Sequence, residues 1–129
     1  MTKRQREQAA FGYQLDVDVY DCDEKAVSDV DGLVRWMEDV VDKIGMAIYD
    51  HDSMHTQAHL YGDDDSNRGV TAFVPLTTSS FVVHTVIASG SVHISLFSCR
   101  KFCSKVVRDA VLTHFRPRAG EVNSSWLVR

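Results

Sequence analysis

The chain has little of what marks several classes of protein. It contains 3 cysteines and 2 prolines, and no apolar run approaches the roughly 20 residues that span a bilayer. The odd set of thiols, Cys22, Cys99 and Cys103, comes without an export signal and argues against a disulfide framework. Basic residues are also scarce, since 14 Lys+Arg face 18 Asp+Glu and the formal net charge is −4. We therefore expect a cytoplasmic protein with neither a membrane nor a nucleic-acid partner.

The length of 129 residues, with 44% hydrophobic and 25% charged residues, is that of one globular domain. Residues 1–10 carry Lys3, Arg4 and Arg6 and are predicted to be a flexible, solvated tail. Residues 11–129 are predicted to form the single domain.

Apolar periodicity predicts the elements of that domain. Leu15, Val17 and Val19 alternate with polar residues, which indicates a strand within 11–20. Three- and four-residue steps from Val27 to Ile44 predict one amphipathic helix of about five turns, and a second helix covers 106–115. Further strands are predicted at 46–49, 70–76, 81–87, 92–97 and 122–128. This order predicts an α+β fold, a two-layer sandwich of a mostly antiparallel sheet with two helices on one face.

The segment 50–68 is polar and acidic, and its residues allow more than one interpretation. Three histidines recur at four-residue steps, and on a helix they could bind a divalent ion together with the neighbouring Asp50 and Asp52: His51, His55 and His59. No flanking apolar periodicity supports such a helix, so we expect a polar or substrate-lining segment and no metal. The carboxylates of 63–65 are expected to lie in a loop and face water.

A hydroxyl, an imidazole and a thiol fall on neighbouring predicted strands. They belong to Ser79, His84 and Cys99, and together they offer a nucleophile, an acid–base group and a proton donor. No Gly-rich phosphate loop and no Gly-x-Ser-x-Gly elbow accompanies them. From the residues alone, the favoured interpretation is that they are ordinary strand residues.

Four motifs add to these residues, and over 11–129 the pattern resembles the short prokaryotic S-adenosylmethionine decarboxylases, which are pyruvoyl-dependent enzymes. The motifs are Tyr20-Asp21-Cys22-Asp23 before the first helix, Gly69-Val70-Thr71, Ser79 followed five residues on by His84-Thr85, and Phe97-Ser98-Cys99.

The resemblance implies that the chain makes its own cofactor. Ser79 Oγ would attack the carbonyl of Thr78, and elimination and hydrolysis would cleave the chain between 78 and 79, leaving a pyruvoyl group at the former Ser79. His84 and Thr71 would assist this processing. The pyruvoyl ketone would then form a Schiff base with the amine of S-adenosylmethionine, and Cys99 would donate the proton after decarboxylation. The resemblance also implies a role in spermidine and other polyamine synthesis and a homodimer with the site between protomers.

Several positions depart from the pattern of that family. Thr78 stands where a glutamate is usual, Ser80 where a histidine is usual, Val86 where a tryptophan is usual, and Ala88 where an acidic residue is usual. The aromatic residue expected in the loop before Gly69 is also missing. Because these groups hold the adenosine part in the family, two alternatives stay open. One is a pyruvoyl-dependent decarboxylase of a smaller amino acid such as ornithine or arginine, and the other is a non-cleaving homologue that binds or regulates.

Overall fold

A computed structural model describes residues 1–51 and 53–129, apart from the side chains of residues 7 and 8. Its strands form one antiparallel sheet in the order β2-β3-β4-β5-β1-β6. They are Tyr13–Val19 (β1), Gln57–Tyr61 (β2), Gly69–Leu76 (β3), Ser79–Val86 (β4), Ser91–Ser98 (β5) and Asn123–Val128 (β6). The predicted α+β class with an antiparallel sheet is confirmed.

The helices differ from the prediction in number. They are Lys3–Gln8 (α1), Glu24–Ser28 (α2), Val30–Lys43 (α3) and Ser104–Phe115 (α4), so α1 lies within the segment predicted to be a tail, whose flexibility stays a prediction. None of the helices in the described chain is long and apolar enough to cross a membrane.

The single helix predicted from Val27 to Ile44 is wrong, because Asp29 divides it. Asp29 has extended backbone angles (φ −86°, ψ 97°), and its carboxylate accepts a hydrogen bond from Gly32 N at 3.0 Å. Its own backbone N–H still bonds to Lys25 O. The residue therefore ends α2 and caps α3, a use of aspartate that the apolar spacing does not reveal.

The core lies between three of the helices, α2, α3 and α4, and one face of the sheet. Alternate strand residues point into it, and Leu15, Val83 and Ile94 are fully buried there, as are Leu33 of α3 and Phe115 of α4. The residues between them point to the opposite face and are half-buried or exposed. We call this second side the uncovered face.

The second strand lies later in the chain than the sequence predicts. The predicted strand at 46–49 is wrong, since only a single bridge joins Ile48 to Leu76. The sheet instead continues with β2, at its edge, within the segment that was predicted to be only polar. Leu60 of β2 is 53% exposed, so this strand has no buried face whose apolar residues would alternate in the sequence.

Candidate active site

The turn between β3 and β4 contains only Thr77 and Thr78, because Leu76 already pairs with Ser79. Thr78 has a φ of 58°, which lies in the left-handed region. Branching at Cβ makes this conformation unfavourable for threonine, at a cost of about 1–3 kcal/mol. The peptide that joins Thr78 to Ser79 is therefore held at a strained residue.

The hydroxyl of Thr78 lies against the thiol of Cys99. Thr78 Oγ1 donates to Thr77 O at 2.6 Å and lies 2.7 Å from Cys99 Sγ. Either the hydroxyl or the thiol can donate across this contact. The Cys99 thiol is therefore in direct contact with the strained turn.

A pocket of about 240 Å³ surrounds this contact. Ser79 of β4 pairs with Ser98 of β5, so the start of β4 and the residue that follows β5 meet at one end of the sheet. Arg100 closes one side, where its guanidinium donates to Gly45 O at 3.2 Å. The lining residues are Met46, Ala47, Leu76, Thr77, Thr78, Ser79, Ser98, Cys99 and Arg100. The structure therefore brings Thr78, Ser79 and Cys99 together.

Thr71 and His84 form a separate pair. They oppose each other on β3 and β4, and Thr71 Oγ1 lies 3.1 Å from His84 Nδ1. His84 lies five positions after Ser79 along β4, which is roughly 17 Å of strand, and an odd spacing places the two side chains on opposite faces. Within one chain the structure therefore does not bring His84 to Ser79.

The threonine after His84 has a structural role. Thr85 is fully buried, accepts a hydrogen bond from Val70 N at 2.9 Å and donates one to Val27 O at 2.7 Å. A Cβ on Gly69 would lie 1.8 Å from Thr85 O, so only glycine permits this approach. Two of the sequence motifs thus meet at one packing contact.

The motif around Cys22 is also structural. Asp23 accepts from Ala26 N at 3.1 Å and caps α2, and this bond, with the nearby Arg116, lowers the pKa of its carboxyl. Burial and the charges of Asp21 and Asp23 raise the pKa of the Cys22 thiol to about 11. Cys22 is therefore poorly suited to reaction, whereas Cys99 is exposed.

The three histidines of the polar segment do not share a helix. His51 forms an isolated bridge with Met54, and His59 lies on the exposed strand β2. Asp52, considered with them as a ligand, lies outside the described residues. Among the residues that the structure describes, no group of three or more His, Cys, Asp or Glu side chains could hold a metal ion.

The acidic loop before β3 uses its carboxylates to close itself. Asn67 donates to Asp63 at 2.8 Å, and the backbone N–H of Ser66 donates to Asp64 at 2.8 Å. The bond from Asn67 lowers the pKa of the Asp63 carboxyl, and the Ser66 hydroxyl, together with the Ser66 backbone N–H, lowers that of Asp64.

Sequence reasoning missed a second polar pair on the uncovered face. His93 of β5 directly opposes His84 of β4, and His93 Nδ1 lies 2.7 Å from Asp18 Oδ1 of β1. Both residues occupy polar positions of alternating strands. The register of three strands places them together, and the sequence carries no sign of that register.

Comparison with known proteins agrees with the motifs. The sequence model of the S-adenosylmethionine decarboxylase family matches residues 13–126, from the start of β1 into β6. No curated protein sequence matches the chain. Because the family match spans nearly the whole chain, the protein belongs to the S-adenosylmethionine decarboxylase family.

Proposed function

We propose that this chain is a self-processing, pyruvoyl-dependent decarboxylase whose substrate is S-adenosylmethionine and whose product supplies the aminopropyl group for spermidine synthesis. The observation that carries the proposal is the left-handed Thr78, held against Cys99 at the peptide before Ser79. Strained backbone is concentrated at functional sites, and here it falls at the one bond that processing would break.

The first step of processing transfers an acyl group within the chain. Ser79 Oγ attacks the carbonyl carbon of Thr78, the C–N bond breaks, and an ester replaces the amide. The amide nitrogen takes up the proton that the hydroxyl loses. Relief of the strain at Thr78 favours this step, because the ester linkage through Ser79 Oγ is longer than the amide it replaces and loosens the turn.

A pyruvoyl group at position 79 fits the residues present. Position 79 is half-buried, begins a strand and opens into a pocket that contains a thiol. The group supplies a ketone that withdraws electrons from a bound amine as carbon dioxide leaves. Cys99 Sγ would hold the proton that replaces the carboxyl group, in keeping with its contact with Thr78 Oγ1 beside position 79.

The role proposed for His84 requires a second protomer. One chain holds Ser79 and His84 roughly 17 Å apart along β4 and on opposite faces. The uncovered face, which carries the Thr71–His84 pair, is free to meet another copy of the chain. We therefore propose a homodimer in which Thr71 and His84 of one protomer assist cleavage in its partner.

Intact mass tests the processing. We expect the purified protein to give two fragments, residues 1–78 and residues 79–129 with an N-terminal pyruvoyl group, while Ser79→Ala stays whole. Ser80→Ala, which changes the neighbouring hydroxyl, is the matched control and should still cleave. A whole chain identical in behaviour to Ser79→Ala would refute self-processing and favour the non-cleaving homologue.

Coexpression tests the shared site. His84→Ala alone should stay whole, since its partner offers no imidazole, and Ser79→Ala alone should stay whole because it lacks the nucleophile. A mixed dimer pairs an intact Ser79 with an intact His84, so part of the His84→Ala chains should be cleaved. If tagged partners copurify and no cleavage occurs, His84 does not act across the dimer.

Release of carbon dioxide from labelled substrates tests the specificity. S-adenosylmethionine should be decarboxylated, and the rate should fall by at least a hundredfold in Cys99→Ala. Val86 and Ala88 replace groups that hold adenosine in the family, so ornithine and arginine belong in the same assay. Turnover of either one in preference to S-adenosylmethionine would replace the proposed substrate and leave the mechanism in place.

A further inference from the structure

A row of polar side chains crosses the uncovered face of the sheet. Thr71 of β3 opposes His84 of β4, His84 opposes His93 of β5, and His93 opposes Asp18 of β1. The row continues to His59 of β2 and Asn123 of β6 at the two edges. We propose that Asp18 and His93 are positioning residues that set the tautomer of His84 for processing, an inference that rests on the proposed function.

The tautomer of His93 follows from its contact. His93 Nδ1 lies 2.7 Å from Asp18 Oδ1, and an ionised carboxylate can only accept hydrogen bonds. The proton of neutral His93 is therefore on Nδ1, which leaves Nε2 as an acceptor.

The next link joins the two histidines. Side chains directly opposed on antiparallel strands have Cβ atoms about 4.5–5.5 Å apart, so the side chains of His84 and His93 are neighbours. The lone pair at His93 Nε2 attracts an N–H of the neighbouring imidazole and repels a second lone pair, so it favours the tautomer of His84 that carries its proton on Nε2. His84 Nδ1 is then free to accept the proton of Thr71 Oγ1, at 3.1 Å. One carboxylate thus orders proton positions across four strands.

The chain offers a matched control for Asp18. Asp16 lies on the same strand and the same face, is also half-buried, and contacts Gln14 Nε2 at 3.2 Å instead of a histidine. Asp16→Asn and Asp18→Asn make the same chemical change two residues apart. An amide at position 18 can donate as well as accept, so it no longer fixes the proton on His93 Nδ1.

The test has one arm that needs no processing. In the Ser79→Ala protein labelled with ¹⁵N-histidine, ring-nitrogen correlations report the tautomer of His84. We expect the Nε2–H form to dominate, to lose share in Asp18→Asn and in His93→Gln, and to persist in Asp16→Asn. Unchanged His84 signals in both Asp18→Asn and His93→Gln would overturn the proposal, even if the protein never cleaves.

The second arm measures the rate of self-cleavage with Ser79 intact. Asp18→Asn and His93→Gln should slow cleavage about tenfold, a small part of what general acid–base groups contribute. Asp18→Glu should restore most of the rate, since a carboxylate returns, and Asp16→Asn should cleave normally. Equal slowing in Asp16→Asn and Asp18→Asn would contradict a specific role. A parent chain that does not cleave refutes the proposed function and leaves the tautomer arm to decide.

Discussion

The strain at Thr78 can be measured by exchanging glycine and alanine at the two turn positions. The φ of 58° disfavours any residue with a Cβ by about 1–2 kcal/mol. Glycine removes that penalty but adds about 0.5–1 kcal/mol of backbone entropy to the unfolded chain. In the uncleavable Ser79→Ala background, Thr78→Gly should therefore be more stable than Thr78→Ala by about 0.5–1 kcal/mol.

Thr77 provides the internal reference, because its φ is not positive. There only the entropy applies, so Thr77→Gly should be less stable than Thr77→Ala by about 0.5–1 kcal/mol. Both alanine variants lose a threonine side chain, and comparing glycine with alanine at one position cancels that loss. Midpoints of urea unfolding measure the two differences. If the glycine variant is less stable than the alanine variant at both positions, Thr78 is not strained. The strain could then no longer be used to support the proposed cleavage.

Three further predictions concern residues outside the turn. Iodoacetamide at pH 8 should label the two exposed thiols and spare Cys22, whose pKa is raised to about 11 by burial and by Asp21 and Asp23; mass spectrometry locates the label, and labelling of Cys22 at an equal rate would contradict its burial. Burial lowers the pKa of His114, so the unfolded chain takes up a proton first as the pH falls below about 6.5. Stability should then decline toward pH 5 more steeply than in His114→Phe, and parallel unfolding curves would exclude His114 as the cause. Asp29→Ala should lower the free energy of unfolding by about 1–2 kcal/mol, since it removes the cap of α3. A loss smaller than a few tenths of a kcal/mol would show that the cap does not stabilise the fold.

The sequence predicts the elements that have one buried face. The apolar residues of β1 and β5 alternate with polar ones, and α4 repeats its apolar residues at helical spacing, because the core selects those positions. It fails for β2, which is exposed at the sheet edge, and for the break at Asp29, where a polar cap interrupts an apolar repeat without changing its phase. Burial of one face produces a periodic pattern of apolar residues in the sequence. Strand pairing at the sheet edge and helix capping produce no such pattern.

The candidate site divides in the same way. The sequence is enough to place Ser79 near Cys99. Antiparallel pairing of two consecutive strands brings the start of β4 and the end of β5 to the same end of the sheet. The separation of His84 from Ser79 follows from an odd spacing on a single strand, which the motif alone does not reveal. The placement of His93 between His84 and Asp18 depends on the register of β4, β5 and β1. That register is fixed by the packing of the whole sheet.

The strand order determines how the two fragments of a cleaved chain would dissociate and refold. Residues 1–78 contribute β1, β2 and β3, and residues 79–129 contribute β4, β5 and β6. In the order β2-β3-β4-β5-β1-β6, strands of different fragments are hydrogen-bonded neighbours at three places: β3 with β4, β5 with β1, and β1 with β6. Strand β1 of the first fragment therefore lies between two strands of the second. A cut between 78 and 79 would turn one polypeptide into two interleaved pieces that cannot part while the sheet persists. Once melted, they would have to find each other by diffusion, so their recovery would depend on concentration where that of the uncut chain does not.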